Sequence, residues 1–281
     1  MQVVGSGSGQ TWIGLYEQGS RAGSGSYGQT DFILDSLVIK EDKDAIAVTI
    51  SAKELLKHES ADIYGSNLDQ FTWVSSDENV VKVDKENNKI LAVGAGTATV
   101  TATAGDKTFE FVMTVTDTIV YDIPADQLGT FTATANTEET TGEPAGSGVA
   151  SAAADGNSST YWHTNWSSTG FTVSESNPAV LTVDLGQVTE MGGFKFQQRP
   201  TGGNNGMIQK YSYRVLDADG NVLASGSNIE VASASQGSSE WVVQILDETV
   251  KAKTIEISVL QGHNGFAAIA EVLPVSVQRI D

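Results

Sequence analysis

The run AVLTVDLGQVTEMGGFKFQQRP, residues 179–200, decides the fold of the larger part of this chain. It contains two stretches, AVLTVDLG and GGFKFQQR, that are rich in β-branched and aromatic residues. Each has the length and composition of a strand. The pattern continues downstream in KYSYRVLDADGNVLAS, EWVVQIL, KTIEISVL and AIAEVLPVSV. Within the first of these, DADGN (217–221) starts like a calcium loop but lacks the later glutamate, so it reads as a hairpin turn. Helical signals are nearly absent from Thr130 onward, which predicts an antiparallel sandwich or jelly roll of about 150 residues.

A second set of short β-branched runs lies upstream: SLVIK, AIAVTIS, FTWVSS, VVKVD, KILAVGAG, TATVTATAG and FEFVMTVTD. Turns such as DKENNKI and AGDKT separate them, and only SAKELLKHE (51–59) suggests a brief helix. Strands at this spacing predict a smaller β-sandwich, with Trp73 filling its core. Residues 1–34 are Gly/Ser-rich apart from one strand-like run, TWIGLYE, and read as a linker or the remnant of a preceding region. Around residues 117–130, TDTIVYDIPADQLGT changes polarity and carries Pro124, which places a boundary there. The organisation is therefore a first domain over 35–118 and a second over 129–281.

The 281 residues include 35 Asp or Glu against 16 Lys or Arg, a formal charge of −19. Such a surface repels phosphate backbones and anionic headgroups, so nucleic acid and membrane are excluded as partners. No apolar run reaches membrane-spanning length, and the amino terminus lacks the pattern of a signal peptide. Cysteine is absent, which removes disulfides, thiolate nucleophiles and zinc–thiolate clusters. HExxH, P-loop and GxSxG motifs are absent as well. Carboxylate pairs for glycoside hydrolysis need no local motif, but two sandwiches leave no room for a further catalytic domain. The chain is expected not to be an enzyme.

The stretch FTWVSSDENVVKVDKENNKILAVGAGTATVTATAGDKTFEFVMTVT resembles a group 2 bacterial immunoglobulin-like domain. That likeness implies a spacer in a secreted or surface protein and names no ligand. The second half is similar to the discoidin, or factor 5/8 type C, fold, and more narrowly to family 32 carbohydrate-binding modules. The likeness is carried by AAADGNSSTYWHTNWS, AVLTVDLGQVTEMGGFKFQQRP, GGNNGMIQKYSYRVL and GFAAIAEV. It implies an all-β chain, an immunoglobulin-like sandwich followed by a discoidin-like jelly roll. The jelly roll's apical loops would bind terminal galactose or N-acetylgalactosamine.

A sugar site needs an apolar platform for the pyranose face and planar polar groups for its hydroxyls. His163, Arg199 and an Asn of GGNNG match the family's polar trio, with Asn205 preferred over Asn204, and Phe266 matches its platform. Trp162 reads as core, and Trp166 as rim without direct stacking on the sugar. The family usually carries one structural calcium ion. Here Asp155, Asn157 and Thr160 of ADGNSST, closed by Glu271, fit that role. The expected protein is a monomeric, extracellular bacterial accessory module of a larger glycosidase, directed to galactose-type glycans such as those of mucin or other host glycoconjugates. The alternative is an adhesive or structural module that binds a protein or cell-wall partner without sugar specificity.

Overall fold

The computed structural model describes residues 46–168, 170–200 and 203–281. The expectations for TWIGLYE, SLVIK and the 1–34 linker fall outside these residues. The chain divides into two compact units, one ending at Asp117 and including Ile280 and Asp281, the other running from Thr118 to Arg279. Among the described residues, all regular structure beyond single 3-10 turns is β. No helix among the described residues is long and apolar enough to cross a membrane.

The first unit holds β1 (Ala47–Ile50), β2 (Glu54–Leu56), β3 (Ser60–Ser66), β4 (Thr72–Ser75), β5 (Val81–Asp84), β6 (Lys89–Ala92), β7 (Gly96–Ala104) and β8 (Lys107–Thr116). They form two four-stranded sheets, β1-β3-β6-β5 and β2-β8-β7-β4. Strict alternation along β7 buries Ala98, Val100, Ala102 and Ala104 and leaves threonines outside. Trp73 is half-buried and lies 5.9 Å from Phe71 and 6.5 Å from Phe111, so it packs at the margin of this core.

The brief helix read into SAKELLKHE is not formed. Its centre is β2, which pairs in parallel with β8, Leu55 opposite Val115. Burying Leu55 against the core and joining a sheet edge outweigh the weak helical propensity of so short a segment. The reading also passed over β3, whose buried Ala61 and Ile63 alternate with more exposed neighbours.

The second unit holds β9 (Thr118–Asp122), β10 (Thr132–Ala135), β11 (Trp162–His163), β12 (Ala179–Gln198), β13 (Ile208–Leu216), β14 (Val222–Glu230), β15 (Trp241–Gly262) and β16 (Ala268–Arg279). The path is β11-β16-β12-β15-β13-β14, with β10 paired to β12 and β9 to β16. Part of the segment read as a link is thus a strand, β9, antiparallel to the end of β16.

AVLTVDLG and GGFKFQQR are two arms of one strand. β12 pairs with β15 on both sides of register breaks at Asp184/Thr189 and Met191/Gly193, so the chain bends without turning back. At the second break a Cβ on Gly193 would lie 2.4 Å from the Gln244 carbonyl oxygen, an approach only glycine permits. EWVVQIL and KTIEISVL merge into β15 in the same way.

Phe194 and Phe196, both on the inward face of β12, meet Tyr213 and Tyr211 edge-on at 5.3 Å. Each such pair adds about 0.5–1.5 kcal/mol to the burial itself. Trp162 is fully buried in the same core and donates its indole N–H to the Thr137 carbonyl at 2.8 Å. Gln198 is also fully enclosed. Its amide exchanges hydrogen bonds with the N–H and carbonyl of Ile208, which ties the end of β12 to β13. Arg199 follows directly, so its position is set by a saturated polar anchor.

Candidate functional site

A cavity of about 430 Å³ opens among the loops at this end of β12. Gly142, Glu143, Pro144, Tyr161, His163, Trp166, Arg199, Asn205 and Phe266 line it. Sequence positions far apart are brought together by β11, the end of β12 and the turn before β16. Four of the five residues expected at a sugar site, His163, Arg199, Asn205 and Phe266, are among them. Asn204 is exposed and lies outside the lining; its carbonyl closes a turn with the Met207 N–H.

His163 pairs through β11 with Ala268. Its Nδ1 lies 2.7 Å from the Thr164 carbonyl, which can only accept. The proton is therefore on Nδ1, and Nε2 of the neutral ring is an acceptor. Burial lowers the pKa of His163, against the opposing effects of the Thr164 carbonyl and the Glu143 carboxylate. The Phe266 ring sits 5.6 Å from the imidazole, tilted by 44°.

The Arg199 guanidinium carbon lies over the Tyr161 ring, 4.7 Å from its centroid. It donates to the Tyr161 hydroxyl at 2.9 Å and to the Asn205 carbonyl at 3.2 Å. Two of its five N–H groups are thus used, and the fork is fixed in one orientation. Asn205 receives a further bond on Oδ1 from Asn264 at 2.5 Å, which leaves its own amide N–H groups as the donors.

Two glutamates organise this arrangement, and the sequence reading named neither. Glu143 accepts from the Tyr161 hydroxyl at 2.5 Å and from the Trp166 indole at 3.0 Å, and lies 3.6 Å from Arg199. Burial and this carboxylate push the Tyr161 phenol up to about 12. Glu139 is fully buried and accepts six hydrogen bonds, from Thr141, Gly142, Trp166 and Ser167. Burial pushes its pKa up, but the bonds from Ser167, Thr141 and Trp166 outweigh it and hold the carboxyl well below the usual range.

Trp166 is thereby braced at its backbone by Glu139 and at its indole by Glu143, while its ring stays 43% exposed as a wall of the cavity. Gly142 lies under that ring; a Cβ there would meet it at 2.3 Å. The signal for both glutamates, in TANTEETTGEPAG, is a cluster of acids among small and hydroxyl residues, which reads as an ordinary loop until its partners are known.

The four residues expected at a cation also converge. Asp155 Oδ1 accepts from the Asn157 N–H and Oδ2 from the Thr160 hydroxyl, both at 2.8 Å, and the Asn157 carbonyl accepts from Thr160 as well. Glu271 faces this loop from β16 and is almost fully buried, and its Oε1 has no hydrogen-bond partner. Burial, then the adjacent Asp155 carboxylate, push Glu271 up to about 7, against the pull of the Asn157 and Gly156 N–H groups. Two carboxylates held together with one oxygen orphaned suit a hard cation. Among the described residues no three His, Cys, Asp or Glu side chains form a metal cluster, so further ligands would be carbonyls and hydroxyls.

Comparison with known proteins gives two family matches. Residues 45–115 match the bacterial Ig-like domain (group 2), and residues 132–272 match the F5/8 type C domain. A curated protein, the A type blood N-acetyl-alpha-D-galactosamine deacetylase of Flavonifractor plautii, is 30% identical over 208 residues, covering 71% of this chain. The chain spans 24% of that protein's length. Among solved structures, the CpGH89CBM32-5 module of Clostridium perfringens, in complex with GalNAc-beta-1,3-galactose, is 28% identical. It matches 52% of this chain and 95% of its own, with a TM-score of 0.42. The family 32 module of C. perfringens NanJ, in complex with galactose, is 31% identical over 57% of this chain and 100% of its own, with a TM-score of 0.41. With the F5/8 type C match covering residues 132–272, half of the chain and every residue that lines the cavity, the chain belongs to the F5/8 type C domain family, preceded by a group 2 bacterial Ig-like domain.

Proposed function

We propose that the second unit is a non-catalytic lectin module that binds terminal galactose-type sugars in the cavity between Trp166 and Phe266. The observation that carries this is the fixed polarity of the cavity. His163 Nε2 accepts, while Arg199 and the Asn205 amide donate, and two aromatic rings flank them. A hydroxyl that donates to His163 and accepts from Arg199 or Asn205 meets this set, as the axial hydroxyl of galactose would. The name of the curated relative, built on N-acetyl-α-D-galactosamine, agrees with that sugar class.

Affinity for a monosaccharide is on the order of 0.1–1 mM in Kd, because few atoms are enclosed. Function then depends on several copies acting together on dense glycans such as mucin, and on attachment to a larger secreted bacterial enzyme that acts on the same material. The Ig-like unit serves as the spacer. Asp155, Asn157, Thr160 and Glu271 would hold a calcium ion, which would neutralise the paired carboxylates and pin the 155–160 loop to β16.

Titration calorimetry with galactose and N-acetylgalactosamine tests the reading. Arg199→Ala should weaken binding by about 1.5–3 kcal/mol, a charged hydrogen bond's worth. Phe266→Ala should weaken it as well. Absence of heat from the unaltered protein with any galactoside at millimolar concentration would end the galactose assignment, and an array showing a protein or cell-wall ligand alone would favour the adhesive alternative.

A further inference from the structure

Three buried side-chain polar atoms among the described residues have no hydrogen-bond partner, and two of them are oxygens: Gln197 Oε1 and Glu271 Oε1. They belong to residues in direct register, Gln197 on β12 opposite Glu271 on β16. Opposed residues of an antiparallel pair point to the same face, with Cβ atoms about 4.5–5.5 Å apart. Both side chains are enclosed, at 7% and 4% exposure. The amide orientation of Gln197 is fixed, because its Nε2 donates to the Ser239 carbonyl at 3.1 Å. Turning the amide over would set two acceptors against each other there.

A buried acceptor without a partner costs about 1–3 kcal/mol. Here two belong to residues directly opposed across β12 and β16, and the Asp155 carboxylate faces Glu271. A water molecule would satisfy the oxygens but leave two carboxyl groups packed together in an enclosed place with no positive partner. A cation would do both, and side-chain amide oxygens are ordinary calcium ligands.

We propose that Gln197 Oε1 is a direct ligand of the divalent cation held by Asp155, Thr160 and Glu271. This rests on the calcium reading of that loop and adds a ligand from a third part of the chain. The cation then ties together the 155–160 loop, β12 two residues before Arg199, and β16 five residues after Phe266. Its coordination sphere reaches the two strands that flank the sugar cavity.

The test is calcium titration of the full chain by calorimetry, with terbium luminescence as a second readout. Gln197→Met, which keeps the shape and removes the oxygen, should weaken calcium binding by about tenfold or more. Gln197→Glu, which keeps an oxygen, should bind at least as tightly as the unaltered chain. At saturating calcium, Gln197→Met should bind galactosides as the unaltered chain does. Equal calcium affinity in Gln197→Met and the unaltered chain overturns the assignment and leaves the loop reading intact. No calcium binding by the unaltered chain overturns both. If the Met variant does not fold, Gln197→Asn withdraws the oxygen by one methylene, and unchanged affinity in that variant is equally fatal.

Discussion

Glu139 accepts both polar hydrogens of Ser167, the backbone N–H on Oε2 at 2.8 Å and the hydroxyl on Oε1 at 2.6 Å. The remaining bonds to Glu139 come from residues 141, 142 and 166, so one carboxylate stitches the two loops that carry Glu143 and Trp166. Glu139→Gln exchanges two acceptor oxygens for one and places an amide N–H against donors. It should destabilise the second unit by about 2–4 kcal/mol, read as a lower melting temperature. The folded pKa lies below the usual 4.5, so the stabilisation is whole above that pH. It should decline as the solution is acidified toward the folded value, and the Gln variant should lack that part of the acid sensitivity.

Neutral His163 is the acceptor of the site, and burial lowers its pKa. Galactoside affinity should therefore be flat from neutrality down through pH 6.5 and fall only in more acidic buffer, where Nε2 gains a proton and the pocket loses its acceptor. Calorimetry across pH 4.5–8 checks this. A midpoint at or above the free-histidine value would show that the ring is not enclosed as described.

Glu143→Gln should weaken galactoside binding by about tenfold with little change in melting temperature. The substitution relaxes the carboxylate that orients Tyr161, Trp166 and, at 3.6 Å, Arg199, all on the cavity wall. The indole should also lose its fixed environment, visible as a shift in tryptophan fluorescence.

Calcium at a hundred times its Kd should stabilise the second unit by about 2.7 kcal/mol. Chelation should lower that unit's melting temperature by roughly 5–10 °C and leave the Ig-like unit unchanged. Asp155→Ala should reproduce the chelated state and abolish the response to added calcium. Melting curves identical in calcium and chelator would reduce the loop to an Asx turn.

The strands were legible wherever a run alternated or was thick with β-branched residues, as in β7 and both arms of β12. Their continuity was not, because a bulge and a turn begin with the same glycines. Gly193 is marked as a bend chiefly by the carbonyl of Gln244, a residue 51 positions away. His163, Arg199, Asn205 and Phe266 could be named because chemistry and family order agreed at each. Glu139, Glu143 and Gln197 could not. Their roles lie in partners supplied by distant strands and loops, and a loop acid or a strand glutamine carries no local sign of being buried.

The antiparallel pairing of β9 with the end of β16 sets Thr118 beside Arg279 and Asp122 beside Val275. A pull on the unit through these two strand ends loads the ladder one rung at a time, as a zipper opens, and spares the rest of the sheet a shearing load. β9 should peel away first, lengthening the tether at low force while the core stays closed. The cavity lies at the other end of β16, about 35–40 Å along the strand from Arg279 at about 3.3 Å per residue. Opening of the β9–β16 ladder would thus leave the residues around the cavity in place.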